Sequence, residues 1–289
     1  MKKFLAILMG VFGMMMPAMA EHIKGGEMFY TYIGPGSAAG TSTYSVSLKL
    51  YIDCNATSSG QLDEFVSFSI FNKTNNSLFG SPVTANFTGE TFARFDPNSN
   101  PCIGNPPTDV CYRIRVYSTN ITLPDSPNGY TIAFQRCCRI GGIVNLVQPS
   151  NAVGATYSCD IPGTAVIADA YKNSSPRFAT NDATAVCKGS VFTLDYSASQ
   201  TDAGDSLVYM LCSGFSGGSQ NNPVPATAST PPFRDLNYTN PYTGSSPLGS
   251  SVTMNPGTGV ITGVAPAALG QYVITACAYE YRKGQLINI

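Results

Sequence analysis

The sequence predicts an all-β protein, organised as two antiparallel β-sandwiches and stapled by disulfides. Three observations predict it. Apolar and polar residues alternate along several segments, clusters of Gly, Pro, Asn and Ser separate those segments, and nine cysteines follow an N-terminal leader. Period-two alternation buries one face of a strand and leaves the other wet. Turn-forming clusters recurring between such segments are the pattern of antiparallel sandwiches.

The leader comes first. Lys2 and Lys3 give a basic start, Phe4 to Met16 is an apolar run broken only by glycines, and Ala18-Met19-Ala20 offers small residues to a signal peptidase. The run is too short for a membrane span. Residues 1–20 therefore read as a Sec signal peptide, and the exported chain starts at Glu21. No transmembrane span is expected once the leader is removed.

The strands follow in order. Tyr44, Val46, Leu48, Leu50 and Ile52 alternate with polar or amphipathic neighbours. Val66, Phe68 and Ile70 repeat the pattern with Ser67 and Ser69 outward. In the next segment Tyr112, Ile114 and Val116 are expected to face inward, with Arg113, Arg115 and Tyr117 outward. Tyr130, Ile132 and Phe134 make a fourth core face. Further strands are expected at 190–196, 206–212, 252–255 and 271–281. Turn clusters occupy 34–41, 72–77, 97–108, 124–129, 213–232 and 240–250. The character of the chain changes around Ile161 to Ser175, which divides it into domains 21–165 and 166–289. Only Arg282 to Ile289 follows the last strong strand, so the natural protein is expected to run on, or the frame to be truncated.

Composition bounds the function. The sixteen Lys and Arg less Lys2 and Lys3 leave 14 basic residues against 17 acidic ones, a net charge near −3 for the exported chain. That balance excludes nucleic acid as an expected partner, since binding phosphates needs clustered positive charge. It also argues against a polybasic hold on anionic lipid. Charged residues make up 11% of the chain, against about 25% in ordinary soluble domains. Ser, Thr, Asn, Gln and Gly must supply the polar surface instead.

Cys54, Cys102, Cys111, Cys137, Cys138, Cys159, Cys187, Cys212 and Cys277 are the disulfide candidates. Their odd number leaves one free or paired between chains, and the pairing itself stays open. No CxxC spacing occurs and the only histidine is His22, which argues against zinc. In Arg136-Cys137-Cys138-Arg139, neighbours on a strand point to opposite faces. The two thiols are therefore expected to reach different partners. Redox work by a thiol acidified by the flanking arginines is the rival reading.

Asp195, Asp202 and Asp205 are candidate oxygen ligands for calcium, although their spacing is not that of an EF-hand. The plainer reading is an Asx-type turn before a strand. No cofactor is otherwise expected. Nucleophile triads use His as base, and His22 is near the exported N-terminus, so no catalytic residue is assigned. A cryptic glycoside hydrolase would need two scattered carboxylates to meet in space. Tyr51, Tyr117, Tyr238 and Tyr242 are candidate exposed rings for stacking on sugars.

Six motifs, in order, carry a resemblance. They are His22-Ile23-Lys24-Gly25-Gly26-Glu27; Tyr51-Ile52-Asp53-Cys54; Gln135-Arg136-Cys137-Cys138-Arg139; Asn173-Ser174-Ser175-Pro176-Arg177-Phe178; Gly204-Asp205-Ser206-Leu207-Val208-Tyr209; and Tyr279-Glu280-Tyr281-Arg282. The chain resembles the N-terminal region of large secreted surface proteins of Bacteroidota, of the gliding-motility-associated, type IX secretion kind. Met254 to Gly263 also looks like the cadherin-like or Ig-like modules of such adhesins. Three features depart from the pattern: no sorting module, Ala203 where Asp is frequent, and Ile52 at an often basic position. The resemblance implies Ig-like or cadherin-like sandwiches, a surface glycan or protein as ligand, and no established catalytic residues. The expected function is a non-enzymatic, exported structural or adhesive module of the cell surface. A carbohydrate-binding accessory module of a polysaccharide-degrading system is the alternative.

Overall fold

A computed structural model describes residues 23–54, 62–96, 110–179, 184–199 and 202–289. The leader, His22 and Cys102 lie outside them. The described residues form an all-β protein with antiparallel pairing between every pair of neighbouring strands. Among them no helix is long and apolar enough to cross a membrane.

The first half carries seven strands: β1 (Ile23–Pro35), β2 (Thr41–Asp53), β3 (Phe65–Asn72), β4 (Val83–Arg94), β5 (Cys111–Pro124), β6 (Gly129–Arg136) and β7 (Ala155–Pro162). They form one sheet in the order β1-β2-β5-β4-β3-β6-β7. This differs from the expected pair of facing sheets. The sheet coils until its two edge strands meet, with Gly26 of β1 against the ring of Tyr157 of β7. Two devices bend it. Bulges interrupt β1 and the β4–β5 pairing, and bulges increase local twist. The strand β3 also changes partners midway, pairing through Phe65–Phe68 with β4 and through Ser69–Asn72 with β6. A strand that hands over in this way makes a corner. The enclosed core draws on all seven strands, including Tyr30, Leu48, Phe68, Ala85, Tyr117, Phe134 and Tyr157.

Strand β5 corrects the expected alternation. Its pairing sets Tyr117 opposite Leu48 and Arg115 opposite Leu50, so these residues share the inner face. Tyr117 is fully buried and is not an exposed sugar-stacking ring. Arg115 is buried too. Its guanidinium lies 4.1 Å from the centre of the Phe87 ring, donates to the Tyr117 hydroxyl, and pairs with Glu90 at 3.1 Å. A guanidinium so satisfied is tolerated inside, because stacking and bonding replace its water.

The second half carries β8 (Arg177–Phe178), β9 (Val191–Asp195), β10 (Ala198–Ser199), β11 (Asp205–Leu211), β12 (Val252–Met254), β13 (Val260–Val264), β14 (Ala276–Arg282) and β15 (Gln285–Asn288). Two three-stranded sheets, β11-β14-β15 and β12-β13-β9, share a small core of Phe192, Leu211, Leu248, Val252, Ile261 and Ala265. The expected strand at 271–281 begins only at Ala276. The expected loop at 213–232 is irregular, but it packs on the outer face of the first half. Ala228 sits with Phe71 and Ala133, and its amide donates to Ser69.

Candidate functional site

The cysteines settle first. Cys54 bonds to Cys111, Cys137 to Cys138 and Cys212 to Cys277. Cys187 is also disulfide-bonded, and Cys159 is a free thiol buried in the first core. The expectation that Cys137 and Cys138 reach different partners is corrected. Strand β6 ends at Arg136, and a cis peptide between the two cysteines brings their Cα atoms to 3.0 Å. Beyond the strand, the rule that neighbours face opposite ways no longer applies.

Around that bond, each residue of the Gln135–Arg139 motif fastens a different segment. Gln135 donates to Thr156 and Ser229. Arg136 pairs with Asp63. The Cys137 amide donates to the Pro223 carbonyl, and the Cys138 carbonyl accepts from Ile23. Arg139 donates through Nε to the Gly154 carbonyl and through Nη2 to that of Phe215, both at 3.3 Å.

The other motifs meet one another. Lys24 pairs with Asp53 at 3.5 Å, and Ile23 lies opposite Ile52 across the β1–β2 ladder. Ser174 and Ser175 dock on the edge of β1, accepting the Tyr32 and Tyr30 amides on their hydroxyls. Asn173, wholly buried, donates to the Tyr30 hydroxyl at 3.1 Å and to Glu280 at 2.8 Å. Its own carbonyl accepts from Arg282 at 2.7 Å. Arg282 also grips Asp205 through two bonds, at 2.8 and 2.7 Å, and Asp202 at 3.1 Å. Burial pushes the Tyr30 hydroxyl well above its ordinary range, while Asp205 raises the Arg282 guanidinium further.

This junction contains two of the three calcium candidates. Asp202 and Asp205 come together with Glu280, which the sequence reading did not select as a ligand. Three such carboxylates suit a hard cation, but the cation that Asp202 and Asp205 hold is the guanidinium of Arg282. Asp195 stands elsewhere, at the end of β9. It accepts the Ser197 amide at 2.8 Å, and that bond lowers its carboxyl below the usual range. This is the geometry of an Asx-type turn.

A solvent-facing cleft lies beside the Arg139 motif. It holds about 340 Å³ between 146–154 and the segments 216–218 and 234–237. Its backbone is packed closely: Gly218 has φ +71°, and a Cβ there would lie 2.9 Å from the Cys137 nitrogen. Exposed Arg234, Asp235 and Asn237 line the cleft, and among the described residues their side chains make no hydrogen bond or ion pair. Sequence reading missed them, yet a signal was present. Between Asp205 and Glu280, Arg234 and Asp235 are the only charged residues. Of the remaining ring candidates, Tyr51, Tyr238 and Tyr242 are half-buried. Tyr242 packs edge-on against Tyr272, and the Tyr238 hydroxyl accepts the Gly214 amide. No protein-family model, no curated protein and no solved structure matches this chain.

Proposed function

We propose that the chain is a non-enzymatic, exported module of the bacterial cell surface, structural or adhesive in role, of the type IX cargo kind its motifs resemble. The observation that carries this reading is how those motifs are used. The residues with the most chemical potential, Gln135–Arg139, Asn173–Ser175, Asp205 and Glu280–Arg282, are engaged with one another and with the backbone inside the molecule. A reactive centre leaves such groups facing substrate; here they fasten segments distant in sequence. The leader-like start and the disulfide-bonded cysteines fit an oxidising destination. We take the second half, with its two small sheets about one core, as the Ig-like or cadherin-like unit.

Glycan and protein arrays probed with the exported chain test the reading. Retention of particular glycans or surface proteins is the expected result. Blank arrays with a sample that unfolds cooperatively would overturn adhesion, and hydrolysis abolished by changing one acid to its amide would overturn the non-enzymatic part. The cleft at Arg234–Asn237 specifically favours the accessory carbohydrate-binding variant of this function, because free polar side chains on a concave surface suit sugar hydroxyls.

A further inference from the structure

The charges beside the cleft do not balance. Arg139 is 5% exposed, and its guanidinium meets no carboxylate among the described residues. Among the described residues its side chain bonds the two carbonyls at 3.3 Å. Burying a charge without an opposite one is costly, and burial lowers this guanidinium's affinity for its proton. The groups it touches adjoin the cleft: Gly154 itself lines it, and Phe215 precedes the lining residue Ser216. At the cleft's mouth stand Arg234 and Asp235. Two cations thus face this cleft or lie just behind its wall, against one acid.

We propose that the cleft binds an acidic saccharide, a uronic acid unit of a polysaccharide. This rests on the glycan-binding form of the proposed function and names its substrate class. Arg234 supplies the planar fork that pairs two-pronged with a carboxylate. Asp235 accepts from ring hydroxyls, and Asn237 both donates and accepts. Arg139 contributes fixed positive potential through the wall, where the low-dielectric surroundings screen it little. Meanwhile the exported chain is acidic overall, so polyanions in general are repelled and attraction must be local.

The experiment is affinity electrophoresis of the exported chain in gels containing polygalacturonate, neutral galactan or dextran sulfate. The expected result is retardation by polygalacturonate alone, with Arg234→Gln weakening it at least tenfold and Asn237→Ala weakening it severalfold. Both positions are exposed, so both variants should keep the parent's unfolding midpoint. Arg139→Gln, if it folds, weakens binding without touching the ligand. Equal retardation of the parent and Arg234→Gln overturns the assignment, as does equal retardation by dextran sulfate. Retardation by galactan alone overturns the acidic specificity but leaves glycan adhesion standing. No retardation in any gel overturns the cleft, and the arrays then decide separately whether adhesion survives.

Discussion

Single residues in this protein act as fasteners, and Asn173 shows how much rests on one. Its amide, itself wholly buried, serves Tyr30, Glu280 and Arg282 at once. Asn173→Ala leaves a buried carboxylate and a guanidinium each short of a partner, and such orphaned groups cost about 1–3 kcal/mol or more. We expect a loss of about 3 kcal/mol in urea unfolding. Asn75→Ala, in an exposed turn, should cost far less. Tyr157 makes a contrasting case. Its hydroxyl is enclosed without a hydrogen-bond partner among the described residues, and burial pushes its pKa up to about 12. Its proton is held more tightly in the folded chain than in the unfolded one, where tyrosine ionises near 10. The resulting stability is complete below about pH 10 and is lost as pH rises toward about 12. Urea midpoints measured across that window should fall. Tyr157→Phe should fall less steeply and lose little at pH 7, since no hydrogen bond is given up.

At the scale of elements, the glycines of β1 decide how the first sheet closes. A Cβ on Gly26 would lie 2.5 Å from the Lys49 carbonyl oxygen and 2.9 Å from the Tyr157 ring. Gly26→Ala must push β7 away from β1, and overpacking of this kind costs about 1–3 kcal/mol. Gly89→Ala, whose Cβ would meet nothing within 4 Å, is the control for thermal unfolding; an equal loss at both sites would remove the closure argument. The same features explain what the sequence did and did not disclose. Strand β2 alternates cleanly over most of its length and was legible. Strands β3 and β6 were legible from their core faces, but the faces expected to be wet carry Ser69, Thr131 and Gln135 in buried positions, with Ala228 packed against Phe71 and Ala133. Strand β1 was not legible, because Gly25, Gly26 and two bulges break its period. Strand β5 was legible as a strand but in the wrong phase. Arg115 faces inward because Glu90, Phe87 and Asp63 await it there, and none of these lies on β5 itself. The junction was half legible. Asp202 and Asp205 stood out as acids, but Glu280 joins them only through the antiparallel register that sets β14 beside β11.

For the whole molecule, the question is whether residues 21–165 and 166–289 behave as separate domains. The contacts tie the two parts together, and from them we expect a joint unfolding. Tyr30 of β1 is bonded by Asn173 and by Asn288, the last residue of β15. Gln135 of β6 holds Ser229, and Ser69 of β3 holds the Ala228 amide. Thr156 of β7 donates to the Ser216 carbonyl at 2.6 Å. These ties lie largely in buried or half-buried surroundings, where breaking one leaves polar groups dry rather than wet, and that penalty couples the halves. Independent domains usually meet through surfaces more like a transient interface. Calorimetry should therefore give one transition, with calorimetric and van't Hoff enthalpies in agreement. Replacing Cys212 and Cys277 by serine opens a loop of 65 residues, and losing a native disulfide typically costs about 2–5 kcal/mol. If the halves are coupled, that change in the second sheet pair lowers the single transition as a whole. Two resolved transitions, with only the lower one moved by the serine pair, would show instead that the junction is a surface contact and that the first sheet stands on its own.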